Sequence, residues 1–360
     1  MIELLLLLAS LFSPADTARL VFAGDAMQHQ RQIDAARQPD GSLDYSTYFT
    51  ALRPYIASAD YAVVNLETPL GGAPYSGYPM FCAHDNYLTA LTDAGFDLML
   101  SANNHILDRR DRGVLRTISA FEKAGADWIG VYRDEAHRSQ RLPFIRDING
   151  FRIAFLNYTY DTNGITRRTP IAIDYIDRNL IARDVARARE QGAELVCVCI
   201  HWGIEYKLLP SAEQKSLAEY MAGLGVDLII GGHPHVIQPM ELKVIGKTGR
   251  PCLLVYSLGN FISAMRTTDT RGGAMVSVTL ARDLLGRPYI RDASYRLVFT
   301  ETPVDLRKSN FRILPVETDE LDGVRATQRD AFARNARRIF SRYNVNVPED
   351  TVPVTDYLRR

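Results

Sequence analysis

The sequence predicts an α/β fold built on a mainly parallel sheet with helices over both faces. Two observations carry this. Apolar runs of strand length alternate with longer segments of helical periodicity through the first two-thirds of the chain, the pattern of strands buried on both faces. Several of those runs end in Asp, Asn, Glu or His, and in open α/β sheets ligands gather at the carboxyl ends of the strands.

In chain order, strands are expected over residues 19–23, 61–66, 97–101, 194–200 and 227–230, with helices over 86–94, 115–124, 179–191 and 211–224. Other stretches read as antiparallel. Residues 143–148 and 151–157 flank Asn149-Gly150, a strong two-residue hairpin signal. Residues 241–245 with 252–256, and 273–280 with 288–298, form two further candidate pairs. A second sheet or a mixed edge is therefore expected. From about residue 318 the chain turns rich in Arg, Asp and Ala, with Phe332, Ile339 and Phe340 at helical spacing. That predicts a terminal helix within 319–343, followed by an extended, Pro-containing end.

A chain of 360 residues can bury a large core without disulfides, as two domains or as one large α/β domain. The residues divide into an N-terminal segment 1–18, a main domain 19–300 and a C-terminal extension 301–360. Met1 to Phe12 is an apolar run broken only by Glu3 and Ser10, with small residues at Ser13, Ala15 and Ala18. This is the pattern of a secretory signal peptide or N-terminal anchor, although no Lys or Arg precedes the run. Lys plus Arg and Asp plus Glu are balanced at 42 each, which removes the electrostatic argument for a nucleic-acid partner. The four cysteines, Cys82, Cys197, Cys199 and Cys252, are too few for a disulfide scaffold and read as buried small hydrophobes.

The chemistry lies where strands stop. Successive apolar runs lead into Gly24-Asp25, Asn65-Leu66-Glu67, Asn103-Asn104-His105, His201-Trp202-Gly203 and Gly231-Gly232-His233-Pro234-His235. Four of the seven histidines fall in these five segments. Taken singly, each group has an ordinary alternative: Asp25 as a helix cap, Glu67 in an ion pair, Asn104 as a cap, His105 as a packed ring. Together they place carboxylate, amide and imidazole donors in one cleft. That set, without thiolate, suits Zn, Mn or Fe. It also exceeds what one four-coordinate ion needs, and a shared carboxylate can bridge two ions about 3.5–4 Å apart.

These segments, with Ala102 to Asp108, His201 to Tyr206, Gly232 to Val236 and Tyr256 to Phe261, resemble the capsule-synthesis CapA family. That family is a branch of the calcineurin-like metallophosphoesterases. The resemblance covers about residues 19–265. It implies mixed β-sheets sandwiched by helices in an αββα arrangement, and two divalent ions. Asp25 and His235 would serve the first ion, Glu67 would bridge, and Asn104, His201 and His233 would serve the second. His105 resembles the general acid, with Asp108 orienting it. Asn65, Glu205, Ser257 and Asn260 are candidate substrate contacts. Glu205 and Tyr206 equally suit holding the loop after His201, and Ser257 and Asn260 equally suit capping a turn. Arg109, Arg110 and Arg266 are candidate anion contacts by position alone. The resemblance implies an exported, periplasmic or envelope-associated hydrolase acting on an anionic small molecule or polymer, in a capsule-synthesis membrane complex. Polymer binding without turnover is the alternative. The pattern departs from the superfamily at Met27, where a histidine ligand is expected, and at Glu67, where the bridge is an Asp. His29 and His84 are candidates for the missing ligand.

Overall fold

Alternation along the first strand sets up the architecture. The computed structural model describes residues 17–245 and 249–359. In β1 (Thr17–Ala26) Leu20 and Phe22 enter one apolar core while Val21 and Ala23 enter another, as the two-residue period of a strand requires. Next come α1 (Gln30–Ala36), α2 (Arg53–Ala57), β2 (Tyr61–Leu66), α3 (Asp85–Ala94), β3 (Leu98–Leu100) and α4 (Arg110–Ala124). They are followed by β4 (Asp127–Ile129), β5 (Val131–Tyr132), α5 (Glu135–Arg141), β6 (Phe144–Ile148), β7 (Phe151–Thr159) and β8 (Ala172–Ile173). Then follow α6 (Arg178–Glu190), β9 (Leu195–His201), α7 (Ala212–Gly223), β10 (Leu228–Gly232), β11 (Met240–Val244), β12 (Pro251–Val255) and β13 (Asn260–Ile262). β14 (Gly272–Arg282), β15 (Pro288–Glu301), β16 (Arg312–Pro315) and α8 (Gly323–Tyr343) complete the order.

The expected second sheet is present, and the strands divide between two mixed sheets. The first has the order β16-β15-β14-β1-β2-β3-β4, with β13 added beside β1; β1 to β4 are parallel and β14 to β16 antiparallel. The second has the order β11-β12-β10-β9-β7-β6, parallel in its centre with antiparallel hairpins at both edges. The sheets face each other: Tyr61 of β2 meets Phe155 of β7 with ring centroids 5.3 Å apart, within one core that also holds Leu20, Phe22, Val198 and Ile229. Helices α2, α3 and α4 cover the outer face of the first sheet through Ile56, Leu88, Leu91, Val114 and Phe121. Ile181 and Val185 of α6 and Leu217 and Met221 of α7 pack on the second. Each fully buried Leu, Ile or Phe contributes about 1.5–3 kcal/mol, so this αββα layering is set by where the apolar faces must go.

The C-terminal residues are not a loose end. β16 extends the first sheet, and the amide of Val345 donates to Met240 O at 2.9 Å while Tyr295 N donates to Pro348 O at 2.9 Å. The segment thus ties β11 of one sheet to β15 of the other. Its final residues, expected to be extended, form a 3-10 turn at Val354–Arg359. The apolar run Met1 to Phe12 lies outside the described residues. Among the described residues no helix is long and apolar enough to cross a membrane. All four cysteines are free and buried.

Candidate metal centre

The ends of β1, β2, β9 and β10 and the turn after β3 converge between the two sheets. Asp25 closes β1, Glu67 follows β2, Asn104 and His105 lie in the turn after β3, His201 ends β9, and His233 and His235 follow β10. All seven side chains are buried. One ligand atom from each of Glu67, His201 and His233 falls within a 4.8 Å set, and the same holds for Asp25, Glu67 and His235. Sequence and tertiary structure therefore bring together every residue assigned to the metal set, Asn104 included: its Oδ1 lies 2.8 Å from His201 Nε2.

Local backbone explains how β10 delivers its histidines. His233 and His235 hold φ of 99° and 58°, left-handed conformations that cost a non-glycine residue about 1–3 kcal/mol and cluster at functional sites. Gly232 leaves the room, since a Cβ there would stand 2.7 Å from Asp25 Oδ1. On the other side, Asn65 Nδ2 donates to Asp25 Oδ1 at 2.8 Å and His233 N donates to Asp25 Oδ2 at 3.2 Å.

The electrostatics are those of a pocket built for positive charge. Burial pushes the Glu67 carboxyl up to about 8, and the neighbouring Asp25 charge pushes the same way. Neither Glu67 oxygen has a hydrogen-bond partner, and His233 Nδ1 is also buried without one. Burial would raise Asp25 as well, but its bond to His235, attraction from His201 and His235, and the Asn65 bond hold it down to about 2. Burial, reinforced by repulsion from other imidazoles, lowers His201 to about 3 and His233 to about 2, so both rings are neutral and ready to ligate. Burial alone would lower His235, yet Glu67 and Asp25 raise it to about 9. Unpartnered buried carboxylate and imidazole atoms are costly, and a divalent ion satisfies them. The donor set fits the ions the residues implied.

Beside this cluster, His105 Nδ1 lies 2.8 Å from Asp108 Oδ2; Asp108 Oδ2 also accepts from Phe81 N at 2.7 Å. The ring proton therefore sits on Nδ1, which leaves Nε2 facing away from the carboxylate.

Three of the expected substrate contacts are buried and hydrogen-bonded within the frame. Asn65 orients Asp25 and accepts from Asn103 Nδ2 at 3.3 Å. Ser257 is fully buried, donating to Val236 O at 2.8 Å and accepting from Gly259 N at 3.1 Å. Asn260, also fully buried, places Oδ1 3.1 Å from His235 Nδ1 and donates to Thr270 O at 2.8 Å. Each is spent on holding the frame. Glu205 is exposed, and its carboxylate groups with His233 and His235 within 4.8 Å, a place for a further ligand as much as for substrate.

Neither candidate for the ligand missing at Met27 joins the cluster. His84 caps α3, accepting from Asn86 N at 3.0 Å. His29 stands at the start of α1, with Nδ1 accepting from Ala264 N at 3.3 Å and its ring edge-on to Phe81. Met27 itself is buried in the core. Sequence reasoning also missed three residues. Asn157 Oδ1 accepts from Ser101 N at 3.0 Å and Ala102 N at 2.7 Å, bracing the Asn104 turn from the facing sheet; β7 carries the same signal as the others, an apolar run reaching a polar residue. Asn163 Oδ1 accepts from Asn104 Nδ2 at 3.2 Å, and Tyr160 lies over His233 with ring centroids 4.5 Å apart. Nothing in their local sequence marks either.

Comparison with known proteins gives a family and a fold. A family model described as bacterial capsule synthesis protein PGA_cap matches residues 19–265. The chain is 30% identical over 244 residues to the capsule biosynthesis protein CapA of Bacillus anthracis, covering 64% of this chain and 57% of that protein. It is 28% identical over 316 residues to the PGA biosynthesis protein CapA of Bacillus subtilis, covering 85% and 76%. A crystal structure of a Staphylococcus aureus protein assigned as a 5'-nucleotidase superposes with a TM-score of 0.50 at 11% identity, covering 88% of this chain and 58% of that one. The two proteins share a fold.

Proposed function

The chain belongs to the bacterial capsule synthesis protein PGA_cap family, and from that premise we propose that it is a metal-dependent hydrolase of the cell envelope, acting in capsule or poly-γ-glutamate assembly. Glu67 carries the reading: a fully buried carboxylate with no hydrogen-bond partner on either oxygen, 3.5 Å from His201 Nε2 and 3.9 Å from His235 Nε2. Asp25 and His235 would hold one divalent ion, Asn104, His201 and His233 a second, and Glu67 would join them; Glu205 lies close enough to complete either. Mn, Zn and Fe suit these donors. Such ions supply Lewis acidity towards an ester oxygen and an activated water at neutral pH.

The chain's own residues do the rest. Asp108 keeps the His105 proton on Nδ1 and fixes the ring, so that Nε2 can deliver a proton to the departing oxygen once the ring is protonated. Asn65 and Asn260 hold Asp25 and His235 in place. The substrate is an anionic small molecule or polymer, and the relatives' descriptions as capsule and PGA biosynthesis proteins favour the polymer. The same relatives support a place in capsule synthesis at the cell envelope, and we extend this to an exported or periplasmic protein acting with a membrane-associated complex. Balanced charge argues against a nucleic-acid partner.

The test is elemental analysis of the purified protein together with phosphodiester and poly-γ-glutamate cleavage assays with and without added Mn. Bound metal with metal-dependent turnover of either substrate is the expected result. Absence of metal after reconstitution would overturn the reading. A second reading, a polymer-binding component without turnover, is favoured by Met27 at an expected ligand position, and bound metal without turnover of any substrate would select it.

A further inference from the structure

A cavity of about 650 Å³ opens at the start of α4, and Asp108, the residue that orients His105, forms part of its wall. Four arginines line it: Arg109, Arg110, Arg112 and Arg116. The nearby acids are already committed. Asp85 takes a two-pronged bond from Arg116 at 2.6 and 2.7 Å. Asp108 holds His105, and Asp111 accepts the backbone amides of Arg168 and Thr169 at 2.7 and 2.5 Å. That last contact draws exposed Arg168 to the same helix end. Among the described residues, Arg109, Arg110, Arg112 and Arg168 are left without an acidic partner, in a chain whose net charge is zero.

The cavity is also built rather than incidental. Two glycines clear the seat of Arg109: a Cβ on Gly71 would stand 2.7 Å from its Cγ, and one on Gly113 2.3 Å from its Cβ. Gly113 lies inside a 15-residue helix, where glycine is less favourable than alanine. The guanidinium so placed makes one hydrogen bond, from Nη2 to Pro74 O at 3.0 Å, and retains further donors for a ligand. Arg110 keeps a left-handed φ of 56°. Continuity with the metal centre runs through both sides. One is the chain from Asn104 to Arg112; the other is the loop that contacts Asn104 through Asn163 and Asp111 through Arg168.

We propose that this cavity is a subsite for the carboxylates of a linear polycarboxylate, holding the chain while one of its bonds reaches the Glu67–His201 centre. The inference rests on the proposed function for the polymer's chemistry. The spread of guanidiniums over Arg109, Arg110 and Arg112 along the cavity wall is its own ground, because a repeating acid engages several where a single anion engages one or two.

The experiment measures binding of fluorescently labelled poly-γ-glutamate of defined length to the full chain by anisotropy, at several salt concentrations. Polyphosphate is the parallel arm, and metal content is measured on every sample. Arg110→Gln/Arg112→Gln changes only exposed side chains and should weaken poly-γ-glutamate binding about ten-fold or more, flatten the salt dependence and leave metal content unchanged. Gly113→Ala, which displaces Arg109, should weaken binding in the same direction. Unchanged affinity in the double variant overturns the subsite while leaving the hydrolase standing. Wild-type protein that binds polyphosphate but not poly-γ-glutamate overturns the carboxylate assignment. Variant-sensitive polymer binding without metal or turnover retains the subsite and rejects the hydrolase.

Discussion

Glu67 Oε1 sits 3.5 Å from His201 Nε2 at the meeting of the two sheets, fully buried and without a hydrogen bond. An arrangement that leaves a carboxylate this isolated is unfavourable for folding alone. It becomes favourable when a cation occupies the gap, and the consequences can be measured.

Glu67→Gln removes the negative charge and the bridging capacity while keeping the shape. Metal content should fall well below that of the parent after identical loading. The chelator-treated variant should match the chelator-treated parent to within about 1 kcal/mol, because the parent's carboxyl, raised to about 8, is already largely protonated at neutral pH. Elemental analysis and denaturant unfolding check the two halves separately. Full metal content in the variant would remove Glu67 from the ligand set.

His105→Ala should retain metal and lower kcat about 10²–10⁴-fold, the usual contribution of a general acid. Asp108→Asn leaves the ring without its charged partner at 2.8 Å and should cost about 10–100-fold. Both are read by kcat alongside metal analysis. Metal loss in His105→Ala would make His105 a ligand instead.

Gly232→Ala places a methyl group 2.7 Å from Asp25 Oδ1 and 3.7 Å from His201 Nδ1. Asp25 is held by Asn65 and His233 and cannot withdraw without breaking those bonds. The substitution should destabilise the protein by about 1–3 kcal/mol and weaken metal binding. Gly164→Ala is a poor comparison because its φ is positive; Gly223→Ala, with open space around it, is the proper control and should leave metal binding unchanged.

Arg296 has no exposed surface and binds Glu317 and Asp350, with its guanidinium carbon 4.9 Å from the Tyr55 ring. Arg296→Met should cost about 3–5 kcal/mol by stranding the buried Asp350 carboxylate. Since Asp350 belongs to the segment that ties β11 to β15, limited proteolysis should also reach residues 344–357 sooner than in the parent. Unaltered stability and cleavage would show that the latch is held elsewhere.

Burial pushes His29 down to about 4 against its bond to Gln32, and repulsion from His235 and His105 acts in the same direction as burial. A histidine depressed in the folded state contributes stability that is fully present above about 6.5 and is lost as pH falls towards 4. His29→Asn keeps a capping oxygen at the start of α1 but does not titrate. Between pH 7.5 and 5 the parent should therefore lose about 2 kcal/mol more than the variant, as measured by urea unfolding of metal-free protein. Equal losses would place the acid sensitivity in other groups.

Much of this protein can be read from its residues, because the signals are local. An apolar run followed by Asp25, Glu67, Asn104, His201 or His233 is at once a buried strand and a donor at its end, and the long helices announce themselves by periodicity. What the chain alone did not decide is how those strands are distributed. The residues fit one parallel sheet as well as two facing ones, and it is the packing of Tyr61 on Phe155 and the antiparallel addition of β14 that divide them three and two. The short strands β4, β5, β8 and β13 have no pattern of their own and exist because neighbours supply their hydrogen bonds. In the same way Asn65, Ser257 and Asn260 look like any polar residue near a cleft until burial assigns them to Asp25, to a loop carbonyl and to His235. Side-chain chemistry and strand periodicity belong to the sequence. Which groups face the ligand and which hold the frame is set only when distant segments meet, since burial and hydrogen-bond partners are properties of the packed chain.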